Sequence, residues 1–180
     1  MKTIFESMKK KKNGISEDLL PLFENILNNY TGDELDNNFY KAMEQHLTQE
    51  ERFRLFEQNG ACNGKKLDPQ RKLFELEHAN KPLFQRLELF SNNFGRTAVL
   101  NEDNTITVTF ACKHGYYKHA PKGKFKLTDS IKTYFERCAG GRLYECQKAL
   151  GVKLKLKSVD ISPLKENISN PVVFTFEVIE

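Results

Sequence analysis

The sequence predicts an α+β fold in which a helical N-terminal half packs on a four-stranded antiparallel sheet. Two observations lead to this prediction. Up to residue 95 of the 180, apolar side chains recur at the spacing of amphipathic helices. After Gly95 the pattern changes to an alternation of apolar and polar residues, which is typical of half-buried strands. We therefore expect the order helices, β-β, helix-helix, β-β, with the helices on one face of the sheet.

The helical half contains clear start and stop signals. Thr48-Gln-Glu-Glu51 has the pattern of a capping box, which starts a helix, and Gly60 is expected to end that helix. Cys62 then follows a helix end. Asp68-Pro69 combines an N-cap with a proline at the first helical position, so another helix should start there. Lys81-Pro82 separates it from a further helix that ends near residue 95.

Two hairpins and two helical segments are predicted after Gly95. In the first hairpin, Ile106, Val108 and Phe110 alternate with threonines, and Cys112 ends the apolar face of the strand. Asp129 can cap a helix between the hairpins, and Gly140-Gly141 is expected to interrupt that helix because glycine disfavours helix interiors. Strands are expected at 97–100, 105–112, 152–158 and 172–179.

The composition indicates a folded protein without a targeting or membrane-spanning segment. Hydrophobic residues make up 39% of the chain, and 14 phenylalanines can fill a core. The first 13 residues carry charges but no apolar segment of roughly 7–15 residues, so we expect a cytoplasmic protein without a membrane partner. The length fits one ordinary domain. The helical part (1–95) and the α+β part (96–180) are therefore expected to share one core.

The charge balance argues against a nucleic-acid partner. The 28 basic residues are largely offset by 24 acidic ones, so the net charge is only +4. Basic residues interleaved with aromatic ones do occur between residues 113 and 126, but no strand carries the aromatic platform on which bases stack. Nucleic acid is therefore not the expected partner, and a homodimer is left open.

The segment from Thr105 to Cys146 is the candidate functional site. It contains three of the four cysteines, two of the four histidines and a Tyr-Tyr pair within a lysine-rich loop. Ammonium and phenol groups can bind a carboxylate or phosphate, and Gly115 and Gly123 allow close backbone approach. A solvent-exposed loop is the alternative interpretation. The residues predicted to bind a small organic anion are Tyr116, Tyr117, Lys118, His119 and Cys138.

The cysteines have three candidate roles, because a reducing compartment keeps thiols free and no Cys-x-x-Cys pair is present. Cys112, with His114 or His119 as the base, has the residue types of a thiol nucleophile. Thiolate and imidazole are also the ligands that zinc and iron prefer. Burial of the cysteines as small apolar core residues is the third interpretation. The candidate metal ligands are Cys62, Cys112, His114 and Cys138.

The C-terminal part, about residues 110–180, resembles a known group of domains. The segments Cys138-Ala-Gly-Gly-Arg-Leu143 and Leu150-Gly-Val-Lys-Leu-Lys-Leu156, followed by Ile161 and a hydrophobic strand, are similar to vinyl-reductase-type small-molecule-binding domains. They are equally similar to the related 2-amino-thiazoline-4-carboxylate hydrolase-like bacterial families. The resemblance implies further cysteines before the helix, for which Cys112 and Cys62 are the matching positions. Near the end, Ser169-Asn-Pro-Val-Val-Phe174 replaces the usual Gly-x-x-Cys-x-Phe, so one thiol of that pattern is missing.

Two functions are compatible with these observations. The first is a small-molecule-binding protein of the bacterial cytosol, in which an organic anion lies between the helical part and the sheet and the basic loop covers it. The second, which the resemblance implies, is a cysteine-dependent or metal-assisted hydrolase that acts on a small carboxylate-bearing substrate. In either case the sulfur atoms of Cys112 and Cys138 should lie within roughly 10 Å of each other if they share a metal or a pocket.

Overall fold

The architecture was analysed in a computed structural model, which describes residues 1–111, 129–167 and 169–179. The fold is α+β, as the sequence predicts, with helices up to Phe94 and one four-stranded antiparallel sheet after it. The helices are α1 (Lys2–Met8), α2 (Leu20–Asn29), α3 (Gly32–His46), α4 (Gln49–Asn59), α5 (Asp68–His78), α6 (Leu83–Phe94), α7 (Asp129–Leu150) and α8 (Pro163–Glu166). The strands are β1 (Thr97–Leu100), β2 (Thr105–Phe110), β3 (Leu154–Asp160) and β4 (Val172–Val178).

The sheet has the strand order β1-β2-β4-β3, and each neighbouring pair is antiparallel. Ile106 lies opposite Phe176 and Val108 lies opposite Phe174, and these four side chains are buried on the face that the helices cover. The alternation in the sequence therefore predicted the inner face correctly. The short helix α8, between β3 and β4, was not predicted, and the strand β2 ends at Phe110.

Helix α7 is the central element, and the predicted interruption at Gly140-Gly141 is wrong. The helix runs without a break from Asp129 to Leu150 and packs against α3, α4, α5 and β3. A β-carbon at Gly140 would lie closer than 3.0 Å to the carbonyl oxygen of Phe56. A β-carbon at Gly141 would also lie closer than 3.0 Å to the carbonyl oxygen of Ala61. The two glycines therefore allow the end of α4 to approach the backbone of α7, and this contact outweighs their low helix propensity.

One hydrophobic core contains side chains from both halves of the sequence. Phe23 and Phe39 from the helical half and Phe174 from the sheet are fully buried, and Leu143 of α7 lies in the same cluster. Within the described part of the chain, the structure has no helix with both the length and the apolar character that a membrane span requires.

The capping box at the start of α4 is confirmed. The backbone N–H of Glu51 donates to the Thr48 hydroxyl, and the backbone N–H of Thr48 donates to the Glu51 carboxylate. Asp68 was predicted to be an N-cap, but it is the first residue of α5. Its carboxylate accepts hydrogen bonds from Arg71 at 2.9 Å and from the Tyr144 hydroxyl at 2.5 Å.

The strand β3 forms an edge of the sheet, and helix side chains bind its outward-facing backbone donors. The N–H of Leu156 donates to the Glu57 carboxylate at 2.8 Å, and the N–H of Leu154 donates to the Gln147 side chain at 2.9 Å. A register shift between Leu156 and Ser158 marks a β-bulge next to these contacts. Edge donors that would otherwise face solvent are thus satisfied within the molecule.

A buried ion pair joins α4 to α7. Arg52 donates two hydrogen bonds to Glu136, at 2.7 and 3.0 Å, and a third to the carbonyl oxygen of Leu47 at 2.7 Å. Both charged side chains are buried. The bidentate geometry satisfies the charges of both groups, which is the condition under which buried ions are tolerated.

Candidate functional site

Most of the side chains predicted to form the site lie outside the described residues. Cys112, His114, Tyr116, Tyr117, Lys118 and His119 all belong to this set. The predicted proximity of the Cys112 and Cys138 sulfurs, and the predicted pocket around His114 and Tyr117, are therefore not tested. Cys62, Cys138 and Cys146 are described, and all three are thiols.

The described thiols differ in exposure. Cys138 and Cys146 lie on α7 and are buried, whereas Cys62 is exposed in the segment after α4. Burial raises the pKa of the Cys146 thiol to about 12, so this cysteine has the properties of a core residue and not of a nucleophile. Among the described residues, no group of three or more His, Cys, Asp or Glu side chains could hold a metal ion. A metal site with Cys112 and His114 remains a prediction.

A cluster of arginines surrounds one glutamate on α7. Arg71 of α5 and Arg142 of α7 each lie 2.8 Å from the Glu145 carboxylate, and Nε of Arg96 lies 3.6 Å from it. We call Arg71, Arg96 and Arg142 the arginine cluster. Three separate parts of the chain supply these residues: α5, the turn between α6 and β1, and α7. The tertiary fold alone therefore brings them together.

The arginine cluster carries more positive charge than its carboxylates neutralise. Three guanidinium groups face Glu145 and Asp68, so one positive charge is in excess among the described side chains. Arg71 and Arg142 are only 1% and 3% exposed. Burial, together with the charge of Arg96, lowers the pKa of Arg142. Burial raises the pKa of Glu145, whereas the three guanidinium groups oppose that rise.

The hydrogen-bonding capacity of the arginine cluster is not filled. The Nε atoms of Arg71 and Arg142 are buried and have no hydrogen-bond partner within the described part of the chain, whereas Nε of Arg96 faces the Glu145 carboxylate at 3.6 Å. Most buried polar groups in proteins are paired, so two unpaired donors in one cluster call for an explanation. A ligand with several acceptor oxygens would provide partners for donors of this kind.

An aromatic ring and a thiol border the arginine cluster. The guanidinium groups of Arg142 and Arg96 lie 4.7 and 5.3 Å from the ring centroid of Phe110, the last residue of β2. Arg142 also donates a hydrogen bond of 2.5 Å to the carbonyl oxygen of Cys62. Arg96 is 30% exposed and Cys62 is exposed, so solvent reaches the cluster on this side. We call Arg96, Phe110 and Cys62 the open side of the cluster.

A small cavity lies against the arginine cluster, between Arg71 and Arg96. It has a volume of about 30 Å³, which is room for a water molecule but far below the roughly 300 Å³ at which organic-ligand pockets begin. An organic anion would therefore bind at the open side and not in this cavity. Its lining residues are Leu67, Arg71, Phe90, Phe94, Arg96 and Glu145.

A larger groove, of about 520 Å³, lies between α5 and the end of α7. Its lining carries three lysines, Lys72, Lys148 and Lys153, against the carboxylates of Asp68 and Glu75. These lysines are exposed to solvent, whereas Arg71 and Arg142 of the arginine cluster are buried. The groove therefore has the size for an organic ligand but lacks the buried guanidinium groups of the arginine cluster. This contrast favours the cluster as the candidate site.

The sequence analysis missed Arg71, Arg96 and Arg142. A weak signal was present for Arg71, since it precedes the buried Phe74 by three residues and so lies on the apolar face of α5. Arg142 and Glu145 are also three residues apart, which places them on one face of α7. Nothing in the sequence indicates that Arg96 reaches Glu145.

Comparison of the chain with protein families, with curated proteins and with solved structures finds no match. The resemblance to vinyl-reductase-type and hydrolase-like domains therefore remains a prediction.

Proposed function

We propose that this protein binds a small organic anion at the open side of the arginine cluster. The observation that carries the proposal is the convergence of Arg71, Arg96 and Arg142 on Glu145, because with Asp68 as the second carboxylate one positive charge remains in excess and Arg96 is partly exposed. A bound anion would neutralise this excess charge beside two buried guanidinium groups, where water screens it less than at an open surface, and so would stabilise the cluster.

The chemistry of the open side favours a carboxylate on an apolar or aromatic body. Guanidinium groups bind carboxylates through paired hydrogen bonds, and Arg96 is exposed enough to do so. The ring of Phe110 offers an apolar surface beside these donors. Pockets for small molecules commonly combine such a surface with a few polar groups.

The alternative function, a cysteine-dependent or metal-assisted hydrolase, rests on Cys112 and His114. Both lie outside the described residues, and of the described thiols Cys138 and Cys146 are buried, whereas Cys62 is exposed. We therefore retain anion binding as the proposal, and a cytoplasmic location remains part of it.

Isothermal titration with benzoate, and with benzamide as its uncharged counterpart, tests the proposal. Benzoate should bind and raise the melting temperature, because a ligand that binds only the folded state stabilises it. Benzamide should not bind. Binding should weaken as salt is raised, since the attraction is electrostatic.

Arg96→Gln and Arg54→Gln form a matched pair of variants for this titration. Each removes one partly exposed arginine that pairs with a glutamate, but Arg54 lines a groove between α4 and β3 and not the arginine cluster. Benzoate binding should be lost in Arg96→Gln and kept in Arg54→Gln. Equal binding by both variants, or a benzoate molecule found in the groove between α5 and α7, would contradict the proposal.

A further inference from the structure

Cys62 is exposed and belongs to the open side of the arginine cluster, but the binding proposed above assigns no chemistry to its thiol. Cys62 follows the end of α4, where its φ of 54° is unusual for a residue other than glycine. Its carbonyl oxygen accepts the 2.5 Å hydrogen bond from Arg142. This bond fixes the backbone of Cys62 against the buried guanidinium group and so fixes the position from which the thiol projects.

Positive charge is in excess beside this thiol, because the three guanidinium groups of the arginine cluster face only two carboxylates, Glu145 and Asp68. Arg142 is 3% exposed, and its Nε lacks a hydrogen-bond partner among the described residues. The thiol of Cys62 is within electrostatic reach of Arg142, because the carbonyl oxygen of the same residue lies 2.5 Å from that guanidinium group. Arg96, which is partly exposed, adds a second positive charge on the same side of the cluster.

We propose that Cys62 undergoes thiol–disulfide exchange with small anionic disulfides that the arginine cluster attracts. This inference rests on the proposed anion binding and adds the chemical class of the ligand: a carboxylate-bearing thiol or its disulfide. The carboxylate is bound by Arg96, and the disulfide bond of the same molecule comes within reach of the Cys62 sulfur. An exposed thiol alone would exchange with any disulfide, whereas this one selects by charge.

The exchange is balanced without a further oxidant. The Cys62 thiol loses its proton to solvent, and the thiolate sulfur attacks one sulfur of the small disulfide. A new sulfur–sulfur bond forms between Cys62 and that half of the molecule, the original bond breaks, and the other half leaves as a thiolate. Cys62 is oxidised and the departing half is reduced. Attack by a second small thiol on the mixed disulfide reverses the reaction.

Two chromogenic reagents test the selectivity for charge. 5,5′-Dithiobis(2-nitrobenzoate) carries two carboxylates, whereas 4,4′-dithiodipyridine is neutral at pH 8. The rate at Cys62 is the rate of the native protein minus that of Cys62→Ser, and mass spectrometry of peptides from the native protein confirms which cysteine is modified. The ratio of anionic to neutral rates is then divided by the same ratio for N-acetylcysteine amide, which removes the intrinsic reactivity of each reagent.

At low salt the corrected ratio should be about tenfold or more, since focused positive charge raises encounter rates by that order. It should fall severalfold in Arg96→Gln, remain unchanged in Arg54→Gln, and approach one in high salt. A corrected ratio near one at low salt overturns the inference. So does an equal fall in both arginine variants, because net charge would then explain the effect.

The test separates this inference from the proposed function. If the native protein binds benzoate but Cys62 shows no charge selectivity, only the inference about the thiol is overturned. If benzoate does not bind, the proposed function is overturned, whatever the rate at Cys62.

Discussion

Gly141 lies against the carbonyl oxygen of Ala61 so closely that a β-carbon at Gly141 would approach that oxygen to less than 3.0 Å. The contact joins the centre of α7 to the segment that leads from α4 to Cys62. The contact predicts the sign of the stability change when Gly141 is replaced. Helix propensity alone would stabilise an alanine variant, whereas the close packing would destabilise it.

We predict that Gly141→Ala destabilises the protein by about 3 kcal/mol, the upper end of the usual cost of overpacking. Helix propensity alone would stabilise the variant by about 1 kcal/mol. Urea denaturation followed by circular dichroism measures the difference. Gly95→Ala is the control, since nothing lies within 4 Å of its added β-carbon and only the positive φ of 60° disfavours alanine there. A stabilised Gly141→Ala variant would contradict the close contact.

We predict that Glu136→Ala destabilises the protein by about 3 kcal/mol, because Arg52 would stay buried with only the more distant carboxylate of Glu44, at 3.8 Å, as a charged partner. The double variant Arg52→Met/Glu136→Met should recover most of this loss, since apolar side chains need no partner in the core. A double-mutant cycle in urea measures the coupling between the two residues. Additive losses would show that the pair does not act as a unit.

We predict that iodoacetamide at pH 8 modifies Cys62 within the native protein and leaves Cys138 and Cys146 unmodified. Cys62 is exposed, whereas burial raises the pKa of Cys146 to about 12, so about one Cys146 thiol in ten thousand is ionised at pH 8. Peptide mass spectrometry measures the labelling of each residue. All three should be labelled after unfolding in urea, which serves as the control. Native-state labelling of Cys146 would refute the burial.

We predict that Glu57→Gln stabilises the protein at pH 7 and that this gain disappears in acid. Burial raises the pKa of Glu57 in the folded state above the ordinary glutamate value of about 4.3. The native glutamate therefore favours folding most when it is protonated, below that value, and loses this contribution as pH rises through its folded pKa. Glutamine keeps a carbonyl acceptor for the N–H of Leu156.

Melting temperatures of the native protein and of Glu57→Gln between pH 4 and pH 8 check this prediction. Glu50→Gln is the control, because Glu50 is an exposed residue of the same helix that pairs with Arg54. The melting temperature of Glu57→Gln should exceed that of the native protein by an amount that grows from acid to neutral pH. A difference that grows in the opposite direction would contradict the assigned burial of Glu57.

The fold was predictable from the sequence where local patterns and burial agree. The alternation around Ile106 and Val108 defines which face of β2 is buried, and the Thr48 to Glu51 pattern defines the start of α4. The Gly140-Gly141 prediction failed because helix propensity describes an isolated helix. Here the backbone of Phe56 and Ala61 occupies the space that side chains on α7 would need.

The candidate site was less predictable for a physical reason. The predicted residues are neighbours in the sequence, in the segment that contains Cys112 and His114. The arginine cluster instead unites Arg71, Arg96 and Arg142 from distant segments, and only the packing of α5 and α7 brings their charges onto Glu145. Charged residues usually lie at the surface, so the sequence alone does not indicate that these three arginines come together inside the fold.

The hydrogen bonds from Glu57 and Gln147 to β3 also limit how copies of this protein can assemble. An open-ended fibre of stacked sheets requires two available edges on each molecule. At the β3 edge the N–H groups of Leu154 and Leu156 are already bound within the chain, so an incoming strand cannot use them. At β1, the other edge, the N–H of Ala98 donates to the Ser91 hydroxyl of α6 at 3.1 Å, so helix side chains occupy backbone donors on both edges of the sheet.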